Sequence, residues 1–185
     1  MKTFSADKLW TDNQLMALGQ DGRKHELWLG KVVTMPPGGA EHGHIIIRLG
    51  AALVTYAQKH KSGRVYDGQT GFRLGVDFCF EPDLAFVTTA RIKLILPDKV
   101  KLFHGAPDLA VEVLSLSDSI TKTEEKLGIF LAHGTRLAWM LDPKTKSVRV
   151  YRQNGGHEAL RGERVLTGNS VLPGFRISLG RLFED

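Results

Sequence analysis

The chain has 185 residues, of which 42% are hydrophobic and 24% are charged, a composition typical of a soluble globular domain and unlike a disordered segment. No apolar run approaches the roughly 20 residues that span a bilayer, and the N-terminus lacks the apolar core of a signal peptide. We therefore expect one domain, residues 1–185, in the cytoplasm. A single cysteine, Cys79, excludes an intramolecular disulfide framework and a cysteine-based zinc cluster.

The net charge of +5 is compatible with a polyanionic partner such as nucleic acid. The lysines and arginines are spread along the chain and form no dense tract. A basic solvated surface without a role in nucleic-acid binding therefore remains an equal alternative.

The first third of the chain predicts a short helix, a hairpin and a long helix. Residues 11–14 have capping-box spacing and precede an apolar run that should end at Gly19 or Gly22. Residues 25–29 and 31–35 indicate two strands about a tight turn. Apolar residues recur at helical spacing from residue 40 to about residue 60, and we expect Gly63 to end that helix.

The middle of the chain predicts strands. They are expected at residues 64–66, 71–74, 78–87 and 108–114, with a charged surface loop containing a helical turn at residues 90–103. The last of these strands is apolar and rich in β-branched residues, and it carries one carboxylate in its middle.

The remaining chain predicts a helix followed by further strands. The helix is expected to begin on a capping box at residues 121–124 and to end at Gly134. Strands are expected at residues 137–141, 147–151 and near 160, with a hairpin turn at residues 154–156. Residues 175–177 are expected to pair as a strand at the end of the chain. These elements together indicate an α/β (α+β) fold with a central mixed β-sheet.

Two carboxylates, Asp83 and Glu112, lie in strands that are short, apolar and expected to be buried. Acids are rarely buried unless they are paired or hold a metal. If the two strands are neighbours, the carboxylates can lie about 5–8 Å apart. Such a pair suits Mg²⁺, which prefers one or two carboxylates together with waters and substrate phosphate oxygens. Asp108 would lie roughly 13 Å from Glu112 along one strand, so we interpret it as a strand-start residue.

Lys126, on the helix after the Glu112 strand, could point at these acids and place or deprotonate an attacking water. The alternative is a solvated lysine paired with Glu124 or Glu125. Glu26 could be a third acid of the cleft, or an exposed residue of the hairpin.

Three other reactive side chains favour structural roles. His42 and His44 cannot share one face of a helix, so we expect surface positions at the helix start. Cys79 is expected to be a small core residue.

The ordered set of Glu26, Asp83, Glu112 and Lys126 resembles the Uma family of restriction-endonuclease domains in the PD-(D/E)XK nuclease superfamily. The resemblance covers nearly the whole chain and is carried by DGRKHEL (21–27), HG (42–43), TGFRL (70–74), EPDLAFV (81–87), PDLAVEVLS (107–115), EKL (125–127) and WMLDP (139–143).

The resemblance implies a restriction-endonuclease-like core, a central sheet flanked by helices, with an N-terminal hairpin extension. It implies a divalent metal held by Asp83 and Glu112, with the backbone carbonyl of Val113 as a further ligand. Glu26 would correspond to the acid that the superfamily often carries on its first core helix. The superfamily's lysine normally lies two residues after the second acid, where this chain has Leu114, so Lys126 would have to reach the same point.

The leading hypothesis is a DNA endonuclease, expected to act on double-stranded DNA with Mg²⁺ or Mn²⁺ as cofactor. A homodimer suits the cutting of both strands. One rival hypothesis is a weak or inactive module that binds nucleic acid or another partner on a nuclease-like scaffold. Another is a metal-dependent hydrolase of a different substrate.

Overall fold

The computed structural model describes residues 9–96, 102–115 and 118–184. The helices are α1 (Asp12–Leu18), α2 (Ala40–His60), α3 (Thr89–Ile95), α4 (Ile120–Ala132) and α5 (Leu179–Phe183). The strands are β1 (His25–Trp28), β2 (Lys31–Thr34), β3 (Gly63–Asp67), β4 (Phe72–Leu74), β5 (Phe78–Phe80), β6 (Leu84–Thr88), β7 (Phe103–His104), β8 (Leu109–Val113), β9 (Leu137–Asp142), β10 (Ser147–Arg152), β11 (His157–Arg161), β12 (Val165–Gly168) and β13 (Leu172–Ser178).

A six-stranded mixed sheet with the order β11-β10-β9-β8-β6-β3 forms the centre of the molecule. Strands β8 and β9 are parallel, and α4 is the crossover that connects them, whereas the other pairings are antiparallel. The α/β fold with a central mixed sheet flanked by helices is therefore confirmed.

The two faces of this sheet bury different helices. Phe86 on β6 and Val111 on β8 pack in one cluster with the apolar face of α2 and the C-terminal segment from β12 to α5. Ala85 and Ala110, their neighbours in the two strands, pack in a second cluster with α4. Because successive strand residues point to opposite faces, both faces of β6 and β8 are apolar, as the continuous hydrophobic runs indicate.

A second, five-stranded sheet with the order β2-β1-β5-β4-β7 holds the predicted N-terminal hairpin, β1 and β2. The single strand expected at residues 78–87 is wrong, because this run forms β5 in the second sheet and β6 in the central sheet. The chain changes sheets at Glu81, Pro82 and Asp83, where the proline has no N–H to contribute to a ladder. This junction places polar side chains between the two sheets.

Several helix boundaries differ from the sequence predictions. Helix α2 ends on Lys61, which adopts the left-handed conformation, while Gly63 begins β3, where an added Cβ would lie 2.2 Å from the Val87 carbonyl oxygen. Helix α4 is capped by Ser119 and not by residue 121. The surface loop expected at residues 90–103 contains the helix α3, and its residues 97–101 lie outside the described part of the chain.

Other local predictions are confirmed. The capping box of Thr11 and Gln14 opens α1, and the hairpin of β10 and β11 turns through residues 153–156. Among the described residues, no helix has both the length and the apolar character needed to cross a bilayer.

Candidate active site

The pairing of β6 with β8 brings Asp83 and Glu112 together. The antiparallel register sets Leu84 opposite Val111, so the residue before Leu84 lies beside the residue after Val111. The backbone N–H of Val113 donates a 2.8 Å hydrogen bond to Oδ2 of Asp83. Both carboxylates are buried, with exposed fractions of 7% for Asp83 and 8% for Glu112. The predicted neighbouring strands and buried acids are confirmed.

Cationic side chains surround Asp83. The Lys24 ammonium lies 3.2 Å from Oδ1, and Nε2 of His42 lies 3.1 Å from Oδ2. Burial favours the neutral acid, but the His42 hydrogen bond, the Lys24 charge and the Val113 N–H outweigh it and hold the pKa of Asp83 well below its ordinary value. Asp83 is therefore an anion near neutral pH. An ionised carboxylate only accepts hydrogen bonds, so Nε2 of His42 carries a proton.

Lys126 reaches the site from α4 because the crossover between β8 and β9 lays this helix against the sheet. Its ammonium lies 2.7 Å from Oε1 of Glu112 and 2.5 Å from Oε1 of Glu26. The ammonium therefore forms ion pairs with both carboxylates. The alternative of a solvated Lys126 is wrong, because the side chain is buried and Glu124 instead binds Arg149.

Burial and charge act in opposite directions on this pair. Burial raises the pKa of Glu112 above its ordinary value against the effect of the Lys126 charge, and the negative charge of Asp83 adds to the rise. Burial disfavours the charged form of Lys126, but Glu112 and Glu26 outweigh it and raise the pKa of the amine above its ordinary value. The lysine therefore stays protonated between the two carboxylates.

Glu26 on β1 is the third acid at this point and is 1% exposed, so the alternative of an exposed hairpin residue is wrong. Its Oε2 accepts a 3.2 Å hydrogen bond from Nε1 of Trp28, and its Oε1 accepts one of 2.9 Å from the N–H of Glu81. These contacts fix the carboxylate that holds Lys126. The hairpin thus contributes to the same cluster as the central sheet.

The four predicted residues converge, together with three that the sequence did not predict: Lys24, His42 and Glu81. The surface position expected for His42 is wrong, because the first turn of α2 packs beside Asp83 and half-buries the ring. His44 is exposed as expected. The one sequence feature that could have indicated Glu81 is its position two residues before Asp83. Lys24 had no signal beyond its place beside the hairpin strand.

Other candidate residues lie elsewhere. Asp108 is fully buried at the opposite end of β8, where it binds Arg91 and Arg136. Leu114, at the position of the superfamily's lysine, is a core residue of the cluster beneath α4. Cys79 is buried as expected, and burial raises the pKa of its thiol to about 12, which makes it a poor nucleophile.

The donor set fits a hard divalent cation. Asp83 and Glu112 supply two buried carboxylates from neighbouring strands, the type of ligand that Mg²⁺ prefers. The backbone N–H of Val113 points to Asp83, whereas the N–H of Leu114 bonds to β9. Because the N–H and the carbonyl of one strand residue point to the same side, we expect the Val113 carbonyl on the Asp83 side. Among the described residues no three acid, histidine or cysteine side chains form a metal cluster. Mg²⁺ needs only one or two carboxylates and keeps its waters.

Comparisons with known proteins agree with this architecture. A crystal structure described as "a putative nuclease belonging to DUF820 from Anabaena variabilis ATCC 29413" is similar, with a TM-score of 0.83 and 23% identity over 94% of this chain and 97% of that chain. At this identity the likeness shows the restriction-endonuclease-like fold. No curated protein matches the chain. The family model described as "Uma2: Putative restriction endonuclease" matches residues 11–180, and the chain therefore belongs to this family.

Proposed function

We propose that this protein is a Mg²⁺- or Mn²⁺-dependent endonuclease that hydrolyses phosphodiester bonds of DNA. One observation carries the proposal. Lys126, on a helix, reaches the buried Glu112 at 2.7 Å, while Asp83 is held beside the same strand end by the Val113 N–H. These distances support the proposal that Lys126, from α4, acts in place of the lysine that the superfamily carries where this chain has Leu114.

Under this proposal Asp83, Glu112 and the carbonyl of Val113 hold the cation. The bound cation would lower the pKa of a water and stabilise charge that develops on the phosphoryl oxygens. Lys126 would orient the attacking water or balance the negative charge of the phosphate, since its amine stays protonated. Glu26 would keep that amine in position through the 2.5 Å ion pair.

Substrate and assembly belong to the same proposal. Membership in a nuclease family supports a nucleic-acid substrate, and the net charge of +5 is compatible with it. We propose double-stranded DNA as the substrate and a homodimer as the assembly, because a two-fold pair of sites can cut both strands. The chain would act as one domain in the cytoplasm.

A specific observation favours a second candidate, a binding module without catalytic activity. Asp83 already has Lys24, His42 and the Val113 N–H as partners, so its charge is balanced by the chain's own groups. A cation must compete with these partners. A protein whose lysines have permanently replaced the metal would keep the fold and lose the chemistry.

Plasmid cleavage separates the two candidates. The purified protein is incubated with supercoiled plasmid and Mg²⁺, Mn²⁺ or EDTA, and parallel reactions contain single-stranded DNA, RNA or a small phosphodiester. The proposal predicts nicked and linear plasmid with either metal and none with EDTA. Binding of DNA that weakens steeply with salt, without cleavage under any metal, would favour the second candidate. Cleavage of the small phosphodiester alone would contradict DNA as the substrate.

A further inference from the structure

Lys24 occupies the carboxylate that the proposed cation needs. Its ammonium lies 3.2 Å from Oδ1 of Asp83, and its side chain is 18% exposed. A divalent cation on Asp83 would stand a few ångströms from this ammonium, and like charges at that separation repel strongly in a partly buried site. Lys24 must therefore move when the cation binds, and it needs another acceptor.

Glu81 offers that acceptor. Its Oε2 is buried and has no hydrogen-bond partner, although buried polar atoms are nearly always paired. The backbone of Glu81 is fixed at the site, because its N–H donates to Glu26 and its carbonyl oxygen accepts a 3.4 Å hydrogen bond from Lys126. The position of this side chain is thus set by the same residues that build the site.

The segment that carries Lys24 runs beside Glu81. Glu26, two residues after Lys24, accepts the hydrogen bond of the Glu81 N–H, and Lys24 contacts Asp83, two residues after Glu81. The ammonium therefore lies near two carboxyl groups. It is paired with Asp83 and leaves Oε2 of Glu81 without a partner.

We propose that Glu81 receives the ammonium of Lys24 when a divalent cation occupies Asp83. This inference rests on the proposed function, since it takes the Asp83 site to hold a cation. The exchange gives the Lys24 ammonium a carboxylate partner in both states. Lys24 is paired with Asp83 when the cation is absent and with Glu81 when it is present. Glu81 is then a positioning residue that favours cation binding without contacting the cation.

A double-mutant cycle on Mn²⁺ affinity, measured by isothermal titration calorimetry, tests the exchange without any reaction. We expect Glu81→Gln to weaken Mn²⁺ binding about fivefold to tenfold, because Lys24 loses its second acceptor. Lys24→Met should tighten binding a few-fold, since it removes the competing cation. In the Lys24→Met protein, Glu81→Gln should change the affinity by less than about twofold, because no ammonium needs an acceptor. Glu125→Gln and Lys122→Met, both at exposed positions on α4, are the matched controls.

Each other result overturns the exchange. An equal loss from Glu81→Gln with and without Lys24 would mean that Glu81 acts on the cation itself. No loss in either protein would mean that Glu81 has no part in cation binding. If the wild-type protein binds no Mn²⁺, the proposed function fails and the exchange fails with it, whereas binding in the wild type with an additive cycle overturns the exchange alone.

Discussion

The two ends of β8 hold buried carboxylates in different ways. At the N-terminal end, Asp108 is fully buried and accepts hydrogen bonds from the Thr88 N–H at 2.7 Å and from Nη2 of Arg136 at 2.8 Å. At the C-terminal end, Glu112 and the adjacent Asp83 contact lysines and a histidine. One strand of five residues thus separates two acidic sites of similar burial.

The partners explain what each end can do. An arginine is permanently charged and binds a carboxylate through two fixed N–H groups, as Arg136 does with Nε and Nη2 on Oδ1 of Asp108. Arg91 also donates to the backbone carbonyls of Ala106 and Gly134, which ties α3 to two loops. Lysine and histidine bind through single donors and exchange more readily. The arginine partners therefore favour stability at one end of β8, whereas the lysine and histidine partners are compatible with the proposed exchange at the other.

The largest effect is expected from Asp83→Ala, which removes a proposed cation ligand. Cleavage of plasmid should fall at least about 10⁴-fold, because the metal supplies several kcal/mol of stabilisation to the transition state. Glu125→Gln, an exposed carboxylate on α4, is the control and should cleave as the wild type does. Gel assays of initial rates measure both. Undiminished cleavage by Asp83→Ala would remove this end of β8 from catalysis.

Lys126→Met tests whether the amine from α4 takes part in the reaction. We expect cleavage to fall about 10²- to 10³-fold, the usual contribution of a positioned proton-transfer or charge-stabilising group. The variant also leaves Glu26 and Glu112 without their shared cation, so thermal melting must confirm that it is folded at the assay temperature. Lys122→Met, one turn earlier and exposed, is its control. A folded Lys126→Met enzyme with wild-type rates would make the lysine purely structural.

Asp108→Asn tests the arginine end. We expect a loss of about 3 kcal/mol in the free energy of unfolding, because breaking a buried ion pair leaves its partner uncompensated. Mn²⁺ affinity of the folded protein should stay within about twofold, since distant sites act independently. Urea denaturation and calorimetry measure the two quantities. A loss of Mn²⁺ affinity without a loss of stability would reverse the roles assigned to the two ends.

A partly exposed carboxylate, Glu124, is expected to give the smallest effect. The hydrogen bonds from Tyr151 and Arg149 and the Arg149 charge hold the pKa of Glu124 below its ordinary value, although burial opposes them. A carboxyl group whose pKa is lower in the folded protein than in the unfolded chain stabilises the fold at pH values above its unfolded pKa. That stabilisation is lost as the pH falls through its folded pKa. Its side chain is 39% exposed, so solvent limits the contribution to below about 1 kcal/mol.

The measurement for Glu124 compares urea denaturation of the wild type and Glu124→Gln at about pH 7 and about pH 3. At the higher pH the wild type should be slightly more stable than Glu124→Gln. At the lower pH this difference between the two proteins should vanish. A difference that grows on acidification would mean that the pair does not act through the ionised acid.

The sequence was enough to predict the acids and most of the fold. Buried strands with one acid each, at Asp83 and Glu112, are recognisable because apolar runs tolerate a carboxylate only with a partner. The helical spacing of α2 and the capping box at Thr11 are local patterns, and both were found where predicted. Local patterns did not indicate that Pro82 marks a change of sheet.

The partners of the acids could not be predicted, because they come from distant parts of the chain. Lys24 and His42 lie 59 and 41 residues from Asp83, and only the packing of the hairpin and α2 brings them there. A histidine in the first turn of a helix is usually solvated, which is why His42 was expected at the surface. Likewise, the burial of Lys126 depends on the angle at which α4 crosses the sheet, and no local pattern encodes that angle.

The most direct test of the central claim is the anomalous scattering of Mn²⁺ in a crystal of the wild-type protein soaked with MnCl₂. The proposed function predicts a peak about 2.0–2.3 Å from oxygens of Asp83 and Glu112 and from the Val113 carbonyl, with Lys24 displaced from Asp83. A crystal that shows no peak between the two carboxylates, with Lys24 and His42 still bound to Asp83, would contradict it.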